Sequence, residues 1–301
     1  MFTGGECERM RVGIVGYGHL GQYLVRRIMD PSSPTFHAME LVFVWNRTPS
    51  TLDRSGELSG FALRDDQKLR SLSDMHRYVV DVVVEVAHPS VYAELGDELL
   101  RHGHLLCGSP TSLAHAAMFE RLREMAVSGS FGLYLPAGAL WGVQDIAKMG
   151  EQKTIAAASI TMTKPAESLR LEEPLQSVLK SFVADGSKDE LVLYEGPVRE
   201  LCHLAPSNVN TMACLAVASG VELGFDRVVG RLVADKRIAA HIIDIEVIGK
   251  AIPGRNDTFR VTTRRYNPCD PAEVTASATY PSFFSSLLKM VHIRRNGVHF
   301  I

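Results

Sequence analysis

The sequence predicts an α/β protein, with a doubly wound parallel sheet in its first half and a smaller α+β domain with a mainly antiparallel sheet in its second. Up to about residue 140, continuous apolar runs alternate with helix-like segments, a pattern typical of parallel strands covered by helices on both faces. Beyond that point the apolar residues alternate with polar ones, as in strands with one buried face. The 301 residues suffice for two such domains.

The first domain is predicted to span residues 1–140. Its apolar strands are expected at 11–15, 41–45, 81–87, 104–108 and 131–138. A helix at about 20–29 follows the first strand, and the prolines of "PSSP" end it. A last helix, at about 272–292, carries an apolar face. We therefore expect the segment 272–301 to pack back on this domain.

The second domain is predicted to span residues 141–271. Its strands are expected at 159–165, 191–196, 228–235, 241–249 and 258–267. Short polar or glycine-containing turns separate the last three, so the sequence predicts a three-stranded meander there. One long helix is predicted among these strands, at about 210–222.

Composition argues against several classes of protein. The net charge of −2 and the pI near 6.6 give no basic field for nucleic acid or an anionic membrane. No apolar run approaches the ~18 residues of a membrane span, and the N-terminus lacks the apolar core of a signal peptide. The five cysteines are scattered without a CxxC pair, which indicates reduced thiols rather than disulfides or a zinc site. We expect a cytoplasmic protein without metal, nucleic-acid partner or membrane contact.

A glycine-rich turn follows the first strand. The segment Gly16-Tyr17-Gly18-His19-Leu20-Gly21 fits G-x-G-x-x-G and opens a helix, the context that dinucleotide binding requires. The first glycine permits a tight turn, the second lets the backbone approach a pyrophosphate, and the third lets the helix pack on the strand. Free N–H groups at the helix N-terminus favour the phosphates. The sequence therefore predicts a Rossmann domain whose residues 16–21 bind the cofactor.

The end of the second strand bears on which nicotinamide cofactor binds. NAD-selective sites place an acidic residue there to bond the ribose 2′-hydroxyl. Here Asn46 stands at that position and Arg47 follows, so no carboxylate repels a 2′-phosphate and a guanidinium is available to pair with it. We predict that both NAD and NADP are candidates and that NADP is favoured. The alternative is that Arg47 is only a solvated surface charge.

The nicotinamide end of the cofactor is expected at the carboxyl ends of the later strands. Small residues there suit the close approach of a flat ring, namely Ala87, Ser109 and Ala139. His88 and Trp141 are candidates to flank the ring; packing is the alternative role for both.

Two polar features of the second domain are candidate substrate contacts. The stretch "APSNVNTMA" starts a predicted helix, with Ser207 or Asn208 as its cap. Asn208 and Asn210 together exceed what one cap needs, so one amide is free for a ligand. Lys164, in "TMTKP", is a candidate partner for a substrate carboxylate. Its alternative role is a solvated lysine at a strand end.

His241 begins an alternating strand and is the candidate catalytic residue. Histidine is the usual side chain for proton transfer near neutral pH. Strand alternation places His241 on the opposite face from Asp244 and Glu246, so a local histidine–carboxylate pair is not expected. The alternative is a structural histidine.

Eight stretches, in one order along the chain, resemble the L-aspartate dehydrogenase family. They are "RVGIVGYGHLGQ", "LVFVWNR", "VVVEVAHP", "GSPTSL", "GALWG", "LYEGPVRELC", "APSNVNTMA" and "HIIDIEVIG". The resemblance covers roughly residues 11–300. It implies an N-terminal Rossmann domain, a C-terminal α/β domain and a homodimer. It also implies NAD(P)-dependent oxidation of L-aspartate to iminoaspartate, which yields oxaloacetate and ammonia.

The resemblance also implies roles for particular residues. His241 matches the family's catalytic histidine, Asn210 and Ala139 match cofactor contacts, and Lys164 falls in a stretch similar to the family's T-x-x-K-P. Asn208, Thr211 and Ser109 are further candidate substrate contacts. The lead "ADKRIAAH" is shorter than in bacterial members and lacks an asparagine just before the histidine. Two alternatives therefore stay open: a non-catalytic NADP-binding sensor or scaffold, and a related reductase or dehydrogenase of another substrate.

Overall fold

A computed structural model describes residues 8–138, 140–255, 257–275 and 277–301. The chain forms two compact units that interleave in sequence. The first comprises the chain up to Gly108, Glu120–Pro136 and Phe284–His299, and the second comprises Ser109–Phe119, Ala137–Phe283 and Phe300–Ile301.

The secondary-structure elements are numbered along the chain. The strands are β1 Met10–Val15, β2 Met39–Trp45, β3 Lys68–Leu69, β4 Val82–Glu85, β5 His104–Cys107, β6 Leu133–Leu135, β7 Ile155–Pro165, β8 Glu190–Pro197, β9 Val229–Asp235, β10 Ala240–Gly249, β11 Arg260–Pro268 and β12 Val298–Phe300. The α-helices are α1 His19–Met29, α2 Ser55–Ser59, α3 Ser90–His102, α4 Ala116–Ser128, α5 Val143–Glu151, α6 Leu175–Ala184, α7 Val198–Leu204, α8 Asn210–Ala218, α9 Gly224–Arg227 and α10 Thr279–Lys289.

The first sheet has the order β12-β6-β5-β4-β1-β2-β3, and β1 to β6 run parallel where they pair. This arrangement confirms the predicted doubly wound parallel sheet. The strand order reverses between β1 and β4, whose ends meet where Val15 pairs with Glu85. Open α/β sheets bind their ligands at such a switch point, and the glycine-rich turn begins there.

All five predicted strands of the first half are present, although the one predicted at 131–138 is reduced to β6. The prediction missed β3 and β12. Both are too short, at two and three residues, to produce a recognisable period of apolar residues.

The second sheet has the order β11-β10-β7-β9-β8, and every pair except β7 with β9 is antiparallel. The mainly antiparallel sheet is confirmed. The predicted meander of 228–235, 241–249 and 258–267 is wrong, because β7 lies between β9 and β10. With 11 residues and an alternating buried face, β7 takes a central position and pairs on both sides.

The long helix predicted at 210–222 is α8, which ends at Ala218 because Gly220 turns the chain with φ +77°. The predicted last helix is α10, shorter than expected. Within the first unit, the Phe284 ring meets Tyr23 of α1 edge-on at 6.5 Å between centroids. Among the residues described, no helix combines the length and apolar character needed to span a bilayer.

Candidate dinucleotide site and candidate active site

The glycine turn has the geometry that the motif predicts. Gly16 has φ +114°, and a Cβ there would lie 2.6 Å from the backbone nitrogen of Ala87. A Cβ on Gly21 would clash with the Gly16 carbonyl oxygen, so the helix packs on the turn only with glycine. At Gly18 a Cβ would meet no atom within 4 Å. The space above Gly18 is thus open where the motif places a pyrophosphate.

The N-terminus of α1 is free to bind an anion. Its N-cap is Gly18, and no side chain caps it, so its first N–H groups are available. Gly18 and His19 are exposed and Leu20 is half-buried. Tyr17 is buried, and its hydroxyl points to the Ser55 carbonyl at 3.5 Å. The ring of Tyr17 therefore belongs to the core of the first unit.

Asn46 connects the end of β2 to the glycine turn. Its Oδ1 accepts the backbone N–H of Tyr17 at 3.1 Å, and its Nδ2 donates to the Thr48 carbonyl at 3.1 Å. Arg47 is exposed, and no described residue forms a hydrogen bond or ion pair with its side chain. The guanidinium is therefore free to meet a phosphate.

The turn after β4 contains a residue that the sequence reasoning missed. Glu85 is fully buried, and its carboxylate accepts the N–H of Ala87 at 2.7 Å. It fixes the backbone that faces Gly16. In the sequence, the signal that could have identified Glu85 is its position as an acidic residue at the end of an otherwise apolar strand. His88 is exposed, and its Nδ1 accepts the N–H of Ser90 at the start of α3.

In the second unit, Thr111 and Asn210 lie together. The Thr111 hydroxyl has two acceptors, the Pro206 carbonyl at 2.9 Å and Asn210 Oδ1 at 3.2 Å. Ser109 is buried, and its carbonyl accepts the hydroxyl of Ser112. Ala139, the other cofactor contact expected from the resemblance, lies outside the described residues.

Asn208 is buried and is occupied by backbone groups. It accepts the N–H of Arg170 at 2.8 Å and donates to the Ser168 carbonyl at 3.2 Å. The prediction that Ser207 or Asn208 caps α8 is wrong, because the N-cap is Val209 and no side chain caps the helix. The hydrogen bonds of Asn208 hold the loop at 168–170 instead. Thr211 is half-buried in the first turn of α8.

His241 and Lys164 are neighbours on the same face of the second sheet. Ile242 pairs with Thr163, so the next position of this antiparallel ladder brings His241 beside Lys164. Both are buried, with 4% and 3% of their surface exposed. Asp244 and Glu246 lie on the opposite face, as predicted. There they form ion pairs with Arg264 and Arg260.

The electrostatics of this pair are unusual. Burial and, to a smaller extent, the adjacent Lys164 charge lower the pKa of His241 to about 4, whereas a backbone hydrogen bond with Glu273 opposes the shift. The Nε2 atom of His241 is buried without a hydrogen-bond partner among the described residues. The imidazole is thus neutral at pH 7 and has an unused nitrogen.

Lys164 is a buried cation that has no counter-ion among the described residues. Burial lowers its pKa to about 8, and an electrostatic interaction with Cys269 opposes that shift. Its Nζ donates to the Val274 carbonyl at 3.3 Å, and no carboxylate of the described chain lies within ion-pair distance. A desolvated cation of this kind gains from a bound anion. Perturbed titratable groups that lie together are typical of active sites.

Comparison with known proteins identifies the family. "Aspartate dehydrogenase, C-terminal" matches residues 145–286, and "Homoserine dehydrogenase, NAD binding domain" matches residues 16–136. The aspartate dehydrogenase domain-containing protein of Xenopus tropicalis is 48% identical over 284 residues, 94% of this chain and 95% of the relative. The chain belongs to the aspartate dehydrogenase family. The resemblance inferred from the sequence is therefore confirmed.

More distant relatives agree with this placement in the aspartate dehydrogenase family. The L-aspartate dehydrogenase of Methanocella arvoryzae is 28% identical, over 80% of this chain and 84% of that protein. The crystal structure of aspartate dehydrogenase from Thermotoga maritima superposes with a TM-score of 0.60 at 18% identity, over 94% of this chain and 96% of that one. This likeness shows the same fold. The chain is thus an oxidoreductase-family protein with an NAD-binding domain.

Proposed function

We propose that the protein is an NAD(P)-dependent L-aspartate dehydrogenase. It oxidises the CH–NH₂ group of L-aspartate to iminoaspartate, which hydrolyses to oxaloacetate and ammonia. The observation that carries the proposal is the pair of His241 and Lys164. Within the described part of the chain, a neutral imidazole with an unpaired nitrogen lies beside an ammonium that has no counter-ion, and these two groups suit an amine and a carboxylate respectively.

The residues of the first unit fit a nicotinamide dinucleotide, which supplies the hydride acceptor when bound. Open space over Gly18, the uncapped α1 terminus and the free Arg47 guanidinium support binding of its phosphates. Because Asn46 stands in place of the acid that would repel a 2′-phosphate, and Arg47 follows it, the proposed preference is for NADP over NAD. The proposed contacts toward the nicotinamide are Ala87, His88, Ser109, Ala139 and Asn210.

His241 acts as the general acid and base in this proposal. With a pKa of about 4 it is unprotonated at pH 7, so Nε2 accepts a proton from the substrate ammonium or from the water that attacks the imine. Lys164 binds a substrate carboxylate. The carboxylate also screens the Lys164 charge from the imidazole, which raises the pKa of His241 in the complex and improves it as a base.

The test is a substrate panel with the purified protein. We expect NADPH to form from NADP with L-aspartate, and we expect oxaloacetate and ammonia to consume NADPH in reverse. Other amino acids should be much poorer substrates. Tight NADPH binding by calorimetry without turnover of any amino acid would instead indicate a sensor or scaffold.

A homodimer and a cytoplasmic location are further proposals from the family resemblance. Edge strand β11 supports the first, because Val261 and Tyr266 on it are 38% and 62% exposed and large exposed apolar groups favour contact with another chain. Light scattering in solution and fractionation of cells test the two.

A further inference from the structure

An open pocket of about 380 Å³ lies on strands β10 and β11 of the second unit. Its lining residues are Trp141, Ile243, Ile245, Thr263, Arg264, Arg265 and Tyr266. Ile243 and Ile245 are buried and alternate with the positions that face the other side. They therefore belong to the same face of β10 as His241.

Arg265 belongs to that face as well. It pairs with Ile243 across the β10–β11 ladder, while His241 pairs with Asn267. The pair of Ile243 and Arg265 is thus two residues, or roughly 7 Å, away along the strands from the pair of His241 and Asn267. Lys164 lies on the neighbouring strand beside His241. One face therefore carries an ammonium, an imidazole and a guanidinium, in that order across β7, β10 and β11.

The guanidinium of Arg265 is anchored but not neutralised. Its Nη1 donates to the Gly138 carbonyl at 3.1 Å. No carboxylate of the described chain pairs with it, whereas its neighbour Arg264 pairs with Asp244 on the opposite face at 3.4 Å. Burial lowers the pKa of Arg265, although an arginine stays charged. Four of the five guanidinium N–H donors are left for another partner.

We propose that Arg265 binds the side-chain carboxylate of a dicarboxylic amino acid and so determines the substrate class of the site. Lys164 takes the other carboxylate, and His241 lies between the two cations to meet the amine. The inference rests on the proposed function. A planar guanidinium pairs with a carboxylate through two parallel hydrogen bonds, and the apolar walls Ile243 and Ile245 strengthen that pairing by excluding water.

The same arrangement disfavours uncharged side chains. An amide or methyl group in place of the carboxylate leaves the half-buried guanidinium without its partner. The unmet desolvation of a charged group costs more than a lost neutral contact. Discrimination therefore comes from the arginine rather than from the size of the pocket.

The experiment compares Arg265→Met and Arg265→Lys with the control Arg260→Met, which removes an ion pair with Glu246 on the opposite face and does not line the pocket. We expect Arg265→Met to lower kcat/KM for L-aspartate by about 10–100-fold, chiefly through KM, with little change for L-asparagine. Arg265→Lys should recover part of the loss. Arg260→Met should leave both values within about two-fold, because exposed ion pairs contribute little.

Two results would overturn the inference while leaving the proposed function intact. In one, Arg265→Met leaves KM for aspartate unchanged. In the other, the variant weakens the binding of aspartate, asparagine and NADP to the same extent, which would show that Arg265 only stabilises the loop at Gly138. If the wild-type protein does not oxidise aspartate, calorimetry of succinate with the NADPH-loaded protein still decides. Tight binding that Arg265→Met weakens at least about ten-fold supports the inference, whereas equal affinities or no binding to the wild type overturn it.

Discussion

Each unit of the molecule contains a buried histidine, and the two differ in their surroundings. Burial lowers the pKa of His104 in the first unit and of His241 in the second, each to about 4. His104 accepts the N–H of Gly132 on Nδ1 at 2.9 Å, and its ring meets Phe131 and Tyr134 edge-on. His241 has a buried Nε2 with no partner among the described residues, and it lies beside Lys164.

The hydrogen-bond partners of the two histidines, and not their pKa values, distinguish them. A low pKa records only that burial keeps a histidine neutral, and both histidines have it. Buried polar atoms normally have partners, so an unused nitrogen needs an explanation that a satisfied one does not. The pairing of Nδ1 explains His104 as structure, whereas His241 remains open to a ligand.

The largest effects are expected when each histidine is replaced in a separate variant. His241→Gln keeps a polar side chain but not a titratable nitrogen, so kcat should fall by about 10²–10⁴-fold while the Kd for NADP is unchanged. His104→Ala removes the partner of a buried N–H, so it should lower stability by about 1–3 kcal/mol and leave kcat nearly intact. Steady-state kinetics measure kcat, and thermal unfolding measures stability, in both variants. A larger loss of kcat in the His104 variant would contradict the assignment.

Removal of the neighbouring charge is the next largest effect. Lys164→Met should lower kcat/KM for L-aspartate by about 100-fold, because a charge-assisted contact with a carboxylate is lost. Lys148→Met, which removes an exposed ion pair with Asp145, is the matched control and should behave as the wild type.

The Lys164→Met variant also tests the coupling between the two side chains. Because the ammonium lowers the pKa of His241, its removal should raise that pKa. The acid limb of the kcat/KM profile should therefore move to higher pH. No movement of that limb in a variant with measurable activity would show that the titrating group is not His241.

Stability should depend on pH through both histidines. Their folded pKa of about 4 lies below the ordinary value of 6.5, so the unfolded chain binds more protons between these values. Stability is therefore full above about pH 6.5 and is lost as the pH falls toward 4, by about 2 kcal/mol per histidine at pH 5. Urea unfolding at pH 7.5 and 5 measures the change. The His104→Asn variant should lose about half of this pH dependence of the free energy of unfolding. If its free energy of unfolding depends on pH as strongly as that of the wild type, His104 is not a source of the effect.

The smallest expected effect lies at the end of β2 in the first unit. Arg47→Ala should raise KM for NADP by about ten-fold and leave KM for NAD unchanged, because only NADP carries the 2′-phosphate. Arg64→Ala removes another exposed arginine of that unit, one paired with Asp66, and should change neither. A preference for NAD that Arg47→Ala does not alter would exclude the role.

The parts of the fold set by local pattern were predictable, and those set by distant pairing were not. Continuous apolar runs predicted the parallel sheet. The alternation of apolar and polar residues correctly placed His241 and Asp244 on opposite faces of the same strand. The insertion of β7 between β9 and β10 contradicted the meander, because turn chemistry reports only on neighbours in sequence. The contact of His241 with Lys164 depends on that same register, so no local signal predicts it. Asn208 does not cap α8 because its side-chain amide accepts a hydrogen bond from Arg170, 38 residues earlier in the chain.

The last strand of the chain has a consequence for biosynthesis. Strand β12 lies at the edge of the first sheet beside β6, and the Gly297 carbonyl accepts the N–H of Leu133. The N-terminal unit is thus completed by residues that are synthesised long after its other strands. Domains of many proteins fold in turn as they emerge from the ribosome, but here the earliest strands must wait until β12 has been made. Deletion of residues 297–300 should therefore reduce the yield of soluble protein.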